Sequence, residues 1–369
     1  MVPGRVVVGL SGGVDSSLAA ALLVEEGYTV CGVMLRLWAE PRAGEAEANR
    51  CCAPEAIESA RLLAAKLGIP FQLVDAREEF RRAVVEPFVA EYGRGRTPNP
   101  CIWCNKDVRF RLLLRLADAY GAEHVATGHY ARVQRAAGGA WQLWRGVDRD
   151  KDQSYFLYRL GQEELARALF PLGRLRKQEV RQMAQARSLP AAQREESQDL
   201  CFVAEGDYRR FLARAAPELL RPGPILDRAG RVLGEHQGLA AYTVGQRRGL
   251  RIAAGRPLYV LELRPQENAL VVGPEEELGA RALLAVGVHW VEGGVPGGPL
   301  RLEVQIRYRA RPAPALVVPR GEEAAFVYFE RPLRDITPGQ SAVFYEGERC
   351  LGGGVIERAL REEELGGCG

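Results

Sequence analysis

The amino-terminal strand, loop and helix constrain the fold of this chain more than any other segment. Residues 5–10 are apolar and β-branched, and residues 16–26 carry leucines at helical spacing before Gly27. The loop between them reads Gly9-Leu10-Ser11-Gly12-Gly13-Val14-Asp15-Ser16-Ser17. A short buried strand that enters a helix through a glycine-rich turn is typical of open parallel sheets, which bind ligands at such turns.

The alternation of strands and helices continues to about residue 200. The segments 30–37, 71–74 and 124–127 are apolar and of strand length, and residues 55–67 and 108–120 have the spacing of amphipathic helices. This order predicts an α/β fold with a doubly wound parallel sheet.

A different pattern, of short alternating apolar runs between Gly and Pro turns, fills the rest of the chain. It predicts strands at 258–263, 269–272, 302–308, 315–318, 324–329 and 341–345. We therefore expect three domains: the α/β domain over residues 1–205, a central β-rich domain over 206–280 and a β-barrel domain over 281–369.

The composition excludes several classes of protein. Of 369 residues, 47% are hydrophobic and 26% are charged, as in globular chains and unlike disordered or fibrous ones. The sequence has no apolar run of about 18 residues and no signal-peptide layout, so we expect a cytoplasmic protein without membrane contact. The net charge of +3 does not by itself indicate a nucleic-acid partner, and a GC-rich coding sequence is the simpler explanation for the excess of Arg over Lys.

The loop at residues 9–17 has the features of a phosphate-binding site. Adjacent glycines let an anion approach the backbone, the helix start presents N–H groups to it, and the serines add hydroxyl donors. Asp15 is suited to orient the loop or a metal ion. The loop lacks the Gly-Lys-Ser/Thr ending of a Walker A motif, and its spacing does not fit the dinucleotide fingerprint.

Three of the eight cysteines have a chemical interpretation. Cys101 and Cys104 lie in a proline-bracketed loop, and Cys104 precedes a helix predicted to begin near Asp107, close to Lys106; a helix start and a cation both favour a thiolate. Cys201 is far along the chain, and two such thiols can exchange sulfur or form a transient disulfide if they meet. A zinc half-site is the alternative for the first two, although no second Cys-x-x-Cys completes it. The remaining cysteines are interpreted as core residues (Cys31, Cys350), as part of the tail (Cys368) or as unreactive (Cys51, Cys52).

Longer motifs, taken with these, resemble the tRNA-specific 2-thiouridylases of the PP-loop ATP pyrophosphatase superfamily. The Ser-Gly-Gly-x-Asp-Ser pattern of residues 11–16 is that of the PP-loop. The other motifs follow in order along the chain at residues 93–100, 104–106, 126–130, 151–157, 234–238, 243–250, 307–309 and 337–343.

This resemblance implies an ATP-dependent enzyme that replaces the C2 oxygen of the wobble uridine of tRNA with sulfur and releases AMP and pyrophosphate. It implies Mg²⁺ with the ATP, acceptor tRNAs for Lys, Glu and Gln, and a cysteine desulfurase or sulfur-relay protein as donor. The residues that it assigns to ATP are Gly9, Leu10, Ser11, Gly12, Gly13, Val14, Asp15, Ser16, Met34 and Gly128. It makes Cys104 the nucleophile and Cys201 the persulfide carrier. It assigns the target base to Asn99, Pro100 and Cys101, and other tRNA contacts to Lys151, Asp152, Gln153, Arg307 and Tyr308.

Several of these residues have a second interpretation. Many members carry Asp where this chain has Cys101, and three thiolates at Cys101, Cys104 and Cys201 would suit a [4Fe–4S] cluster in place of a persulfide. The alternative for the segment 151–153 is an ordinary polar turn, and the alternative for Arg307 is an exposed strand position, although the tRNA contact is favoured for both. A PP-loop synthetase acting on a small molecule and a non-catalytic RNA-binding protein are the rival functions.

Overall fold

A computed structural model describes residues 4–38, 53–192, 194, 200–203 and 207–360. Three sequence interpretations concern residues outside these ranges: those of Cys51, Cys52 and Cys368. No helix among the described residues has the length and apolar content needed to cross a membrane.

Strands make up most of the second half of the molecule. In chain order they are β1 (Arg5–Gly9), β2 (Thr29–Arg36), β3 (Phe71–Asp75), β4 (His124–Ala126), β5 (Ala131–Arg135), β6 (Trp141–Arg145), β7 (Ala168–Leu169), β8 (Gly223–Leu226), β9 (Val232–His236), β10 (Tyr259–Arg264), β11 (Ala269–Gly273), β12 (Ala280–Trp290), β13 (Leu300–Gln305), β14 (Ala313–Arg320), β15 (Ala324–Leu333), β16 (Ser341–Glu346) and β17 (Arg349–Leu360).

Helices are concentrated before residue 220. The α-helices are α1 (Val14–Glu25), α2 (Pro54–Leu67), α3 (Arg77–Phe80), α4 (Glu86–Gly93), α5 (Pro100–Trp103), α6 (Arg111–Tyr120), α7 (Gln162–Arg167), α8 (Lys177–Ala186) and α9 (Tyr208–Ala215). Two π-helical segments, Arg81–Val85 and Cys104–Phe110, join α3 to α4 and α5 to α6. Short 3₁₀ turns lie at Ser154–Phe156, Pro217–Leu220, Leu239–Ala241, Pro265–Glu267 and Glu275–Glu277.

The first sheet is parallel throughout and has the order β3-β2-β1-β4-β7. Its central strand β1 is buried on both faces, because Val7 packs into one apolar core and Val6 and Val8 into another. The predicted doubly wound α/β sheet is therefore confirmed.

The other two sheets are the predicted β-rich part. Strands β10-β11-β8-β9 form a four-stranded mixed sheet, and strands β12-β15-β14-β13-β16-β17 close into a six-stranded barrel through the pairing of β12 with β17. A hairpin that the sequence did not predict, β5–β6, extends the barrel sheet from within the first 205 residues. Its strand β6 pairs with β17, with Leu143 opposite Cys350.

One predicted helix boundary is wrong. Residues 108–120 were expected to form a separate helix, but helical structure already begins at Pro100 and continues to Tyr120 through the π-helical segment. The helix start at Pro100 cannot be recognised from the sequence, because proline is well accommodated in the first turn of a helix as well as in loops.

Candidate active site

A cavity of about 1730 Å³ lies at the carboxyl ends of β1, β2 and β4. Most of the residues singled out in the sequence share its wall, namely Gly9, Leu10, Ser11, Gly13, Val14, Asp15, Ser16, Met34, Asn99, Pro100, Cys101, Cys104, Gly128, Lys151, Gln153, Cys201 and Tyr308. Of the described candidates, Gly12, Asp152 and Arg307 do not line it. Segments up to about 300 residues apart in the sequence thus meet at one site.

Glycine is required at two positions beside the cavity. Gly12 has a φ of +71°, and a Cβ there would lie 2.3 Å from the backbone oxygen of Ala56. A Cβ on Gly128 would lie 2.7 Å from the backbone nitrogen of Ser16. Side chains at either position would therefore deform the turn into α1.

The turn into α1 is held by its own serines. The Ser16 hydroxyl accepts from the Ser11 N–H at 3.1 Å, and the Ser17 hydroxyl donates to the Gly13 carbonyl at 2.8 Å. The N-cap residue of α1 is Gly13, which has no side chain to cap the first turn. The amino end of this 12-residue helix is therefore presented to the cavity, as an anion site requires.

Asp15 is bound by two side chains that the sequence reasoning missed. The Lys177 ammonium donates to both Asp15 carboxylate oxygens at 2.7 and 2.8 Å, and the Tyr130 hydroxyl donates at 2.7 Å. Lys177 is only 8% exposed and lines the cavity. The position of Lys177 in the sequence is an indication of this ion pair. A lysine in the first turn of a helix opposes the helix dipole and is stabilised by a nearby anion.

The segment with Cys101 and Cys104 is more helical than expected. The Asn99 side chain caps α5 by accepting from the Cys101 N–H at 3.2 Å, so Cys101 lies in the first turn. Cys104 lies one turn later and is 6% exposed. The prediction that Cys104 precedes a helix start is therefore wrong.

Lys106 is also engaged elsewhere, in an ion pair with Glu164. Burial on its own would raise the pKa of Glu164, but hydrogen bonds from Lys106 and the Gly161 N–H outweigh it and lower that pKa. Glu164 therefore stays ionised at neutral pH and offsets the Lys106 charge.

The described cysteines are all thiols: Cys31, Cys101, Cys104, Cys201 and Cys350. Cys104 belongs to an apolar cluster against which Cys201 also packs. Within the described parts of the chain, no group of three His, Cys, Asp or Glu side chains could hold a metal ion. The two thiols thus share a cavity, whereas Cys101, Cys104 and Cys201 do not together form a three-ligand site.

Core roles fit the two strand cysteines. Cys350 is fully buried, and this burial raises the pKa of its thiol to about 12. Burial also raises the pKa of Cys31, which is half-buried in β2. Both thiols are therefore protonated and poorly reactive at neutral pH.

Asp152 points into the protein. Its carboxylate accepts from the Arg145 guanidinium at 3.0 Å, from the Gly146 N–H at 3.0 Å and from the Ser154 N–H and hydroxyl at 3.1 and 2.9 Å. Gln153 accepts from the Tyr130 N–H at 3.0 Å. Of the predicted segment 151–153, Asp152 is thus a buried support for the loop, whereas Lys151 and Gln153 line the cavity.

The same network reaches the barrel. Arg145 donates to the Gln305 side-chain oxygen at 3.2 Å and lies 3.4 Å above the ring of Tyr345. The Gln305 amide in turn donates to the Tyr308 carbonyl, and the Tyr308 ring packs on Phe156 with centroids 4.3 Å apart. Tyr308 therefore reaches the cavity wall on a rigid support.

The turn before Asn99 is held by both β-rich parts. The Thr97 N–H donates to the Pro338 carbonyl at 2.9 Å, and the Thr97 carbonyl accepts from the Gln340 amide at 2.7 Å. The Thr97 hydroxyl lies 3.2 Å from that of Thr243. Arg307 lies nearby, donating to the Val244 carbonyl at 3.3 Å and to the Thr337 hydroxyl.

His129 forms a neutral part of the wall. It is 8% exposed, and its Nδ1 lies 2.7 Å from the Thr127 hydroxyl. Burial, aided by the charge of Arg109, lowers the pKa of His129 to about 3. The imidazole is therefore uncharged at neutral pH.

Comparison with known proteins agrees with this geometry. The family model described as "tRNA methyl transferase HUP domain" matches residues 4–205, and those described as "tRNA methyl transferase PRC-barrel domain" and "Aminomethyltransferase beta-barrel domain" match residues 209–274 and 280–356. A protein of Chloroflexus aggregans called tRNA-specific 2-thiouridylase MnmA is 53% identical, covering 96% of this chain and 98% of its own. Proteins of the same name from Roseiflexus sp. and Geobacter metallireducens are 50% and 49% identical, covering 96% and 97% of this chain and 99% and 98% of their own. The chain belongs to the tRNA-specific 2-thiouridylase family.

Proposed function

We propose that this protein is an ATP-dependent tRNA-uridine 2-sulfurtransferase, which replaces the C2 oxygen of the wobble uridine with sulfur. The observation that carries this proposal is the single cavity whose wall holds the glycine–serine loop together with Cys104 and Cys201. The relatives named tRNA-specific 2-thiouridylase match over nearly the whole chain. Activation by ATP and sulfur transfer need these groups within reach of one substrate atom.

ATP is needed because the C2 oxygen is a poor leaving group. The uridine O2 attacks the α-phosphorus, the bond to pyrophosphate breaks, and N3 gives up its proton. In this proposal the N–H groups at the start of α1, the serine hydroxyls and Lys177 bind the phosphates, and Met34 and Gly128 contact the adenosine. Mg²⁺ accompanies ATP and neutralises phosphate charge when bound.

Sulfur then replaces the adenylated oxygen. The terminal sulfur of a Cys201 persulfide attacks C2, the C–O bond breaks, and AMP leaves. The Cys104 thiolate attacks the Cys201 sulfur, the persulfide S–S bond breaks with its electron pair moving to the sulfur on C2, and N3 regains its proton. The resulting Cys104–Cys201 disulfide is reopened by a dithiol reductant. A sulfur-relay protein or cysteine desulfurase renews the persulfide.

The substrate is the anticodon arm of tRNA, with the Lys, Glu and Gln acceptors as the expected set. The wobble base leaves its stack to enter the cavity. Asn99, Pro100 and Cys101 contact it, while Lys151, Gln153, Arg307 and Tyr308 contact neighbouring nucleotides. We assign catalysis to residues 1–205, and RNA recognition by shape and phosphate to domains 206–280 and 281–369.

A [4Fe–4S] cluster on Cys101, Cys104 and Cys201 is the second candidate mechanism. Since these residues do not form a three-ligand group in the described chain, the donor set does not fit the cluster, and we derive no step through it. Protein purified without oxygen tests the point: a colourless, active enzyme supports the persulfide, whereas visible iron–sulfur absorption that is lost in Cys101→Ala supports the cluster.

The decisive experiment combines ATP, a sulfur donor and unmodified tRNA and measures pyrophosphate release, which reports adenylation, separately from AMP release and from 2-thiouridine. We expect Cys201→Ser to adenylate tRNA without forming 2-thiouridine, and Cys104→Ser to lose 2-thiouridine as well. Cys31→Ala is the matched control, because Cys31 is a half-buried thiol of the same domain outside the cavity wall. Full ATP turnover in both serine variants would favour a small-molecule synthetase, and tRNA binding without AMP release would favour a non-catalytic RNA-binding protein.

A further inference from the structure

A loop in the central domain carries a concentration of positive charge that the proposed reaction does not use. Residues 242–258 connect the 3₁₀ turn at Leu239–Ala241 to β10, and they contain four arginines: Arg247, Arg248, Arg251 and Arg256. The sequence has no Asp or Glu from residue 236 to residue 261. We call residues 242–258 the arginine loop.

The loop is fixed in place by its apolar residues. Leu250 is buried, and Ile252 and Leu258 pack against the same core as Val260. The turn at its start is closed by Gln246, whose amide donates to the Arg248 carbonyl at 2.9 Å and whose side-chain oxygen accepts from the Thr243 N–H at 3.2 Å. These anchors turn the arginines outward.

All four arginines are exposed, and three of them, Arg247, Arg251 and Arg256, line a surface pocket of about 440 Å³. In the part of the chain that the structure describes, none of the four forms an ion pair with a carboxylate. Other arginines of the same domain are paired, Arg228 with Glu277 and Arg231 with Asp227. Exposed guanidinium groups that have no carboxylate partner among the described residues are suited to bind phosphate groups.

The start of the arginine loop lies beside the predicted path of the RNA. Thr243 contacts Thr97, which lies two residues before the predicted target-base segment, and the Val244 carbonyl accepts from Arg307. RNA whose wobble base occupies the cavity continues on both sides of that nucleotide as a polyanion. The arginine loop thus begins next to the turn that leads into the predicted target-base segment, on the side from which it can meet phosphates outside the cavity.

We propose that the arginine loop binds backbone phosphates of the tRNA substrate outside the wobble nucleotide. This inference rests on the proposed function and adds to it a binding surface in the central domain. Such contacts position the RNA without reading its bases. They therefore govern the affinity and the salt dependence of binding for every acceptor tRNA alike.

The test is the slope of log Kd against log salt concentration, measured with unmodified tRNA. The triple variant Arg247→Gln/Arg248→Gln/Arg251→Gln should reduce the magnitude of the slope by roughly 2–3, since each lost phosphate contact removes somewhat less than one released counterion. The same three positions changed to Lys should restore the slope, because Lys keeps the charge. The thermal unfolding of each variant checks that it remains folded.

The matched control removes the same charge from the same domain. In the triple variant Arg228→Gln/Arg231→Gln/Arg264→Gln, each arginine has an acidic partner, so the slope should stay at the wild-type value. An equal change in both triple variants would overturn the inference, because general electrostatics would then explain it. An unchanged slope in the arginine-loop variant would also overturn the inference. If thiolation by that variant then fails with a protein donor but proceeds with inorganic sulfide, the arginine loop is a donor-docking site. If the wild-type protein does not bind tRNA at all, the proposed function itself fails.

Discussion

The substitution Asp152→Ala separates a structural role from an RNA contact. The resemblance to the family implies that Asp152 contacts tRNA, whereas its carboxylate is buried and accepts hydrogen bonds from Arg145, Gly146 and Ser154. Alanine removes all of these acceptors at once. The Arg145 guanidinium keeps the Gln305 oxygen and the Tyr345 ring but loses its only ion-pair partner among the described residues.

The cost of this substitution follows from burial. The side chains of Arg145 and Asp152 are 10% and 5% exposed, so the pair belongs to the buried class. Removing one member of such a pair destabilises a protein by about 3–5 kcal/mol. For domains of this size, each kcal/mol corresponds to about 2–4 °C, so the unfolding transition that includes the β5–β6 hairpin should fall by roughly 6–20 °C.

Differential scanning calorimetry, with tRNA affinity measured well below the transition, tests this reasoning. Asp118→Ala is the control, because Asp118 pairs with Arg167 while 65% exposed, and such surface pairs contribute less than about 1 kcal/mol. We expect Asp152→Ala to lose thermal stability and to keep its tRNA affinity while folded. A variant with the wild-type transition but weakened tRNA binding would refute the structural role and restore the direct contact.

Three further outcomes are expected. Lys177→Met should raise the Kd for ATP by roughly 10- to 100-fold in calorimetric titration, because a charge-assisted contact is worth about 1.5–3 kcal/mol. An unchanged Kd would exclude Lys177 from the phosphate site. His129 is neutral in the folded state because its pKa is about 3, whereas the pKa of an unfolded histidine is about 6.5. Its contribution to the free energy of unfolding is therefore complete above about pH 6.5 and is lost as the pH falls. Urea unfolding should show a loss of about 2 kcal/mol between pH 8 and pH 5 that His129→Gln lacks, and equal pH dependence in both proteins would contradict the assignment. Iodoacetamide at pH 8 should modify Cys101 and Cys201 before Cys350, because the pKa of the buried Cys350 thiol is about 12. Peptide mass spectrometry measures the modification, and modified Cys350 in the folded protein would contradict its burial.

The sequence predicted the parallel sheet and the loop at residues 9–17 because both are local. An apolar strand, a glycine-rich turn and leucines at helical spacing are contiguous, and their geometry follows from near neighbours. Met34 and Gly128 could be placed beside them only through the resemblance to a family. In the structure these residues do line the cavity with the loop.

Features that depend on tertiary pairing could not be predicted in this way. The partner of Asp15 is Lys177, which is 162 residues away, and the network of Asp152 reaches Gln305 in the barrel. A polar segment such as 151–153 reads the same whether its acid faces solvent or a buried guanidinium. The helix start at Pro100 was missed for a different reason, since proline fits both a loop and a first turn.

The β5–β6 hairpin limits how this protein can be divided. Because β6 pairs with β17, a fragment ending at residue 205 would expose the outer backbone groups of β6, and an isolated barrel would lose the same partner. If the barrel is exchanged between relatives, the matching hairpin must therefore be exchanged with it. These two parts are constrained to evolve together, although more than 130 residues separate them in the sequence.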